Sequence, residues 1–178
     1  MSKFFIAAIL ATLSFSAVDA QDFDTSMSSY GLVDIQSIDD EILVELKYSS
    51  TDNFVGEDMY GDLERAYFEP SFADRVVKAQ QILKRRNPNY TLLIYDAARP
   101  ISVQRHMRKV VEGTQFEGFV ADGTKGGRHN YGVAVDLTIA QIDGSPLDMG
   151  AEFDDFSKAA SVKGTPDTDD PATRSIEV

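Results

Sequence analysis

A histidine and an aspartate stand seven positions apart in Gly127-Arg-His-Asn-Tyr-Gly-Val-Ala-Val-Asp136. Imidazole nitrogen and carboxylate oxygen are both ligands of zinc, and a catalytic zinc takes three protein ligands while keeping a fourth position open. His129 and Asp136 supply two of the three. Their spacing imposes a condition. Val133, Val135, Leu137 and Ile139 alternate with Ala134, Asp136 and Thr138, the period of a strand with one buried face, so Asp136 is expected to point away from the apolar side. Seven steps of extended chain would carry His129 roughly 23 Å from Asp136 and leave it on the opposite side of the sheet. Shared coordination needs a bend, and Asn130 and Gly132, which tolerate left-handed conformations, lie where one is required. A plainer account also fits the residues: a loop histidine and a turn or capping carboxylate.

The second group that could do chemistry is Arg99. Thr91-Leu-Leu-Ile-Tyr95 has the length of a buried strand and delivers Asp96-Ala-Ala-Arg99 to its end, while Pro100 opens a helix with Val103, Met107 and Val110 on its buried face and Gly113 to stop it. An arginine fixed between two rigid elements can pair with Asp96 as a brace, or stabilise an oxyanion. His106 flanks the apolar stripe of that helix and reads as a boundary histidine.

Other elements must hold these pieces. Ile42, Val44, Leu46 and Tyr48 alternate with Leu43, Glu45 and Lys47 as a strand, followed by a loop of turn formers from Ser49 to Gly56. Pro70 starts a helix carrying Phe72, Val76, Ala79 and Leu83 at helical spacing. Lys84-Arg-Arg86 suits its C-terminal dipole and Asn87-Pro88 ends it. Phe116-Glu-Gly-Phe119 reads as an aromatic hinge. The glycines from Gly123 to Gly127 have neither the Gly-Lys-Ser/Thr signature nor the following helix of a phosphate loop, and are expected to let the backbone approach the histidine. Asp143-Gly-Ser-Pro146 is a turn that reverses the chain. Strands and helices do not alternate regularly, so the fold class is α+β, a small mixed or antiparallel sheet with packed helices.

Three blocks together resemble the D-alanyl-D-alanine dipeptidase family of zinc metallopeptidases. Arg128-His-Asn-Tyr-Gly-Val-Ala-Val-Asp-Leu-Thr138 is similar to its zinc segment, Tyr95-Asp-Ala-Ala-Arg-Pro100 to its Asp-x-x-Arg-Pro block, and Leu147-Asp-Met-Gly-Ala-Glu-Phe-Asp154 to its Met-Gly-x-x-Phe-Asp block. The resemblance implies a Zn2+ cofactor held by His129 and Asp136, Arg99 as the transition-state stabiliser, and hydrolysis of D-Ala-D-Ala or a related cell-wall dipeptide. It also places the Thr51-Asp-Asn-Phe54 loop near the substrate and gives His106 no metal role. Related readings are a peptidoglycan D,D-carboxypeptidase or endopeptidase, and a peptide-binding remnant without chemistry.

The chain departs from the family twice. Gly127 stands where the family usually has Ser, which removes a hydroxyl from the substrate's surroundings. The family closes its site with a Glu-x-x-His element, whose Glu is the general base and whose His is the third ligand. No histidine follows Asp136, and Glu177 is followed only by Val178. A truncated active site is the expectation, with Asp148, Asp154, Asp155 or a second subunit as the alternative source of the missing ligand.

Composition bounds the rest. Residues 1–20 combine Lys3, an apolar run of about a dozen residues and a Val18-Asp-Ala20 cleavage site, a secretory signal peptide too short for a bilayer span of roughly 20 residues. The expected location is therefore periplasmic or secreted, without a membrane anchor. Residues 21–37 read as a mobile polar lead-in, 38–160 as the dipeptidase-like domain and 161–178 as a polar tail. With no cysteine there is no disulfide framework. The net charge of −12 disfavours nucleic acid and anionic membrane as partners; a small D-Ala-D-Ala-like peptide is the partner that the family resemblance implies. Nothing in the residues fixes the oligomeric state.

Overall fold

The structure, a computed structural model, describes residues 23–156 and residue 160. Its centre is strand β4 (Tyr90–Asp96), flanked by parallel β2 (Leu43–Val44) and antiparallel β5 (Asp136–Gln141), while β1 (Val33–Asp34) and β3 (Tyr67–Phe68) form a separate antiparallel ribbon. Among the described residues, three α-helices accompany the strands: α1 (Phe23–Ser29), α2 (Pro70–Arg86) and α3 (Ile101–Val111). The fold is α+β with a mixed sheet.

Helix α2 begins as its sequence dictates. Glu69 caps it by accepting from the Phe72 N–H, and Pro70 at the first helical position forfeits only an N–H that has no partner inside the helix. It buries Ala73, Val76, Gln80 and Leu83. Gln80 is the unexpected member of that face. Its amide donates to Thr91 Oγ1 at 2.8 Å and accepts from the Leu92 N–H at 2.9 Å, just outside the register of the two-residue β2. A buried polar side chain so paired avoids the desolvation penalty of an unmet hydrogen bond.

Several expectations fail for identifiable reasons. The alternation from Ile42 to Tyr48 does sort burial, with Ile42, Leu46 and Tyr48 inside. Hydrogen bonding as a strand lasts only over Leu43–Val44, and a 3-10 turn over Lys47–Ser49 follows. The predicted lead-in is packed from Phe23 onward: Met27 and Ile35 lie in the core, and Tyr67 donates to Asp24 at 2.8 Å. Polar composition hid the few apolar anchors. The strand predicted from Gly132 begins only at Asp136, and Leu137, expected inside, is 40% exposed, whereas Thr138 and Ile139 are buried. The signal peptide, Glu177 and the polar tail of 161–178 lie outside the described residues.

The turn at Asp143 forms as expected: Gly144 has φ 90°, Ser145 N–H donates to the Asp143 carboxylate at 2.9 Å, and Pro146 bridges back to Ala140. The chain then runs over 147–156 as a strap beside the sheet. Phe153 packs edge-on against Tyr48 and Tyr95, and Phe156 stacks on Phe119 with 4.4 Å between ring centroids.

Candidate metal centre

The sheet prepares the site through an irregularity. Ile94 pairs with Leu137, but Asp96 pairs with Asp136, so Tyr95 is an extra residue on β4. Such a bulge re-aims the side chains that follow it. Here it sets two aspartates opposite each other. Asp96 is compensated by its bonds to Tyr60 and Arg99, and the nearby Arg99 charge favours the Asp136 carboxylate.

His129 reaches Asp136 by the bend the spacing demanded. A 3-10 turn over His129–Tyr131 closes at Gly132, which adopts φ 68° and ψ 25° and donates to the His129 carbonyl at 3.1 Å. A Cβ on Gly132 would stand 2.8 Å from the backbone nitrogen of Glu69 and 2.9 Å from Leu32 Cδ2, so the position requires glycine on two counts. Asn130 contributes differently from expectation. Its backbone is not left-handed; its side chain accepts from the Gly127 N–H at 2.6 Å and donates to the Arg99 carbonyl at 2.8 Å. Gly126, at φ 72°, turns the loop just before it.

The imidazole is oriented from behind. His129 Nδ1 lies 2.8 Å from the Ala97 carbonyl, which can only accept, so Nδ1 carries the proton and Nε2 the lone pair. Nε2 stands 3.7 Å from Asp136 Oδ2. Two ligand atoms about 2 Å from one zinc at a tetrahedral angle lie roughly 3.4 Å apart, so the pair fits a shared ion with little adjustment. Burial, against the pull of His129, raises the Asp136 pKa, a cost that a divalent cation would offset.

Asp96, His129 and Asp136 bring ligand-type atoms within 4.8 Å of one another. Proximity alone would make Asp96 a third ligand, but its bonding argues otherwise. Asp96 is wholly buried, its Oδ1 accepts from Tyr60 at 2.6 Å, its Oδ2 accepts from Arg99, and Oδ2 lies 3.3 Å from Nδ1, the imidazole nitrogen turned away from Asp136. Asp96 is the support of His129 and the brace of Arg99. Asp148, Asp154 and Asp155 are outside this group among the described residues. His106 is far from being a ligand: its ring is 55% exposed and pairs with Glu57 at 3.1 Å.

Arg99 is enclosed. It donates to Asp96, to Tyr60 through Nε at 3.3 Å, and to Gln104 and the Met107 sulfur through Nη1 at 2.9 and 3.4 Å; its guanidinium lies over the Tyr48 ring at 4.9 Å. Burial works against its charge, but Asp96, Tyr60 and Tyr48 outweigh that and hold its pKa above the ordinary value. The brace to Asp96 that the sequence offered is formed, and the charge of Arg99 also favours the Asp136 carboxylate.

The outer wall is looser. A cleft of about 1390 Å3 runs from Asp136 past Lys47, Asn53, Phe54 and Tyr95 to the 147–156 strap. Asp154 accepts from Tyr48 at 3.1 Å, and burial raises its pKa to about 6. Sequence reasoning missed Tyr60, Gln104 and the hub role of Asp96. Only the three-residue step from Asp96 to Arg99 signalled any of it.

A buried arginine thus lies beside a histidine–carboxylate pair at the end of the sheet. Residues 28–174 match the D-Ala-D-Ala dipeptidase family of M15 peptidases, and the chain belongs to it. It is 33% identical over 125 residues to a D-alanyl-D-alanine dipeptidase of Escherichia coli K12, covering 70% of this chain and 62% of that protein. It is 29% identical over 112 residues to a D-alanyl-D-alanine dipeptidase of Synechocystis, covering 47% of this chain and 44% of that protein. The chain thus spans less than two thirds of the length of these relatives. Among the described residues no helix is long and apolar enough to cross a membrane.

Proposed function

We propose that this protein is an exported zinc-dependent hydrolase of D-Ala-D-Ala or a closely related cell-wall dipeptide. The observation that carries the reading is the 3.7 Å approach of His129 Nε2 to Asp136, with Nδ1 already committed to Ala97. Family membership supports the reaction class, and the names of the relatives support the substrate. Export rests on the character of residues 1–20.

His129 and Asp136 would hold the ion. An ion bound there would supply carbonyl polarisation and a lower pKa for water. Arg99, its side chain 10% exposed, would offer positive charge to the oxygen that gains negative charge as the peptide bond is attacked. The cleft carries Asp52, Asp148, Glu152, Asp154 and Asp155 against Lys47 alone, a field that suits a substrate with a free ammonium group. Lys47 is itself engaged by Glu45 and Asp52.

The test is zinc uptake by the purified chain, together with release of free D-Ala from D-Ala-D-Ala. The expected result is chelator-sensitive release, with His129→Ala and Asp136→Ala each weakening zinc uptake by more than the roughly 10- to 100-fold that loss of an outer-shell partner costs. Release that survives both substitutions would overturn the assignment. One observation favours a second reading, peptide binding without turnover: among the described residues, the third ligand-type atom near His129 and Asp136 belongs to Asp96, whose oxygens already accept from Tyr60 and Arg99. Zinc-independent dipeptide binding with no release would select it.

A further inference from the structure

A guanidinium has five N–H donors, and the contacts of Arg99 account for four. Nε–H goes to Tyr60, the two Nη1 hydrogens to Gln104 and Met107, and one Nη2 hydrogen to Asp96. One Nη2 hydrogen is left over. The arginine of a bidentate anion site presents two parallel donors to its ligand. Arg99 has no such pair to give.

The partners responsible are not generic packing. Tyr60 is 1% exposed, and its hydroxyl bonds twice, donating to Asp96 at 2.6 Å while accepting from Arg99. Burial and the adjacent Asp96 keep that hydroxyl protonated. Its place is fixed by the turn before it, where the Asp58 carboxylate accepts from the Tyr60 and Gly61 N–H groups. Gln104 is 4% exposed and also bonds twice: Oε1 accepts from Arg99 and Nε2 donates to the Ala121 carbonyl at 3.0 Å. Each side chain faces Arg99 with an acceptor and is held at its other end by a separate part of the fold. Between them they fix the guanidinium on two edges.

We propose that Tyr60 and Gln104 are positioning residues that clamp Arg99 so that it meets the substrate through a single Nη2 donor. The inference rests on the proposed hydrolysis and adds a specificity consequence: the site contacts one oxygen of a tetrahedral centre, not the paired oxygens of a free carboxylate. Neither residue touches the substrate. A displacement of the cation by about 1 Å is enough to cost roughly 100-fold in rate, so loosening the clamp should act on turnover more than on binding.

The experiment has two readouts on Tyr60→Phe and Gln104→Leu. The first needs no activity: the Nε–H signal of Arg99 in a nitrogen-15 NMR spectrum, identified by its loss in Arg99→Lys. It should be resolved and slow to exchange in the wild type, and broadened or lost in both variants. The second is kinetic. Each variant should lower kcat by about 10- to 100-fold with KM and zinc affinity changed less than about threefold, and neither should lower kcat further in an Arg99→Ala background. An Nε–H signal unchanged in both variants, or full additivity with Arg99→Ala, overturns the clamp. If the wild type releases no D-Ala while the Nε–H signal is held and then freed as expected, the functional reading fails and the clamp stands.

Discussion

The two sides of Asp136, the buried network behind it and the wall of the cleft in front of it, are built on opposite principles. The inner wall, from Tyr60 through Asp96 and Arg99 to His129, is a closed set of hydrogen bonds in which the Asp96 side chain is inaccessible and that of Arg99 is 10% exposed. The outer wall, 147–156, has no helix or strand, is tied by the Leu147 N–H to Ile139 and by a turn from Glu152 to Asp155, carries Met149 38% exposed, and is held mainly by aromatic contacts. Chemistry at a fixed point needs the first kind of wall. Admission and release of a ligand need the second. The low-stability parts of a fold are where moving elements are found, and the division here falls at Asp136, where the cleft meets the buried network.

The largest effect should come from the inner wall. Asp96→Asn keeps the shape and removes the charge, leaving Arg99 buried without its counter-ion, and loss of one partner of a buried pair costs about 3–5 kcal/mol. Urea unfolding reads it directly; a loss under about 1 kcal/mol would mean that the inner wall is no more committed than the outer.

Phe156→Ala should do less. Its ring meets Phe54, Phe116 and Phe119 at 5.1, 5.7 and 4.4 Å between centroids, and an aromatic pair adds about 0.5–1.5 kcal/mol beyond its buried area. The expected signature is regional: faster amide exchange over 147–156 with protection in β4 unchanged. Equal acceleration in β4 would erase the distinction between the walls.

The smallest effect is a slope. Burial raises the Asp154 pKa from 3.8 to about 6, so the folded protein holds that proton more tightly than the unfolded chain. The sign follows: Asp154 exacts no penalty below about pH 4 and an increasing one as pH rises through about 6. The stability of the wild type relative to Asp154→Asn should therefore increase as pH falls from 7 to 4. A flat difference across that window would show that the outer wall leaves Asp154 as solvated as an ordinary surface carboxylate.

The sequence disclosed these regions unequally. Helix α2, strand β4 and helix α3 were legible because Pro70, Asn87-Pro88 and Pro100 punctuate them and their apolar spacing is regular. The fold class followed. At the site, His129, Asp136 and Arg99 stood out as residue types, and Gly132 as the bend between the first two. Asp96 opposite Asp136 was not legible, because it depends on one bulged residue, Tyr95, that no propensity marks. Tyr60 was hidden for a related reason: it reaches Asp96 across 36 positions of chain, and only the folded backbone closes that distance. The early residues 23–37 were misread because Met27 and Ile35, with Phe23, Leu32 and Val33 packed beside them, anchor a stretch otherwise rich in Ser and Asp.

Gly132 has a consequence that reaches from chemistry into heredity. Its carbonyl accepts the Glu69 N–H at 3.0 Å, and the space for its missing side chain is filled by the start of α2 and by Leu32. Any other residue there would press on Leu32 and on the Phe68–Glu69 backbone, where the β1–β3 ribbon and the start of α2 meet the turn between His129 and Asp136. A lineage can therefore lose the approach of His129 to Asp136 by one missense change at a position that supplies no side chain, and restoring it at that position would require the same glycine.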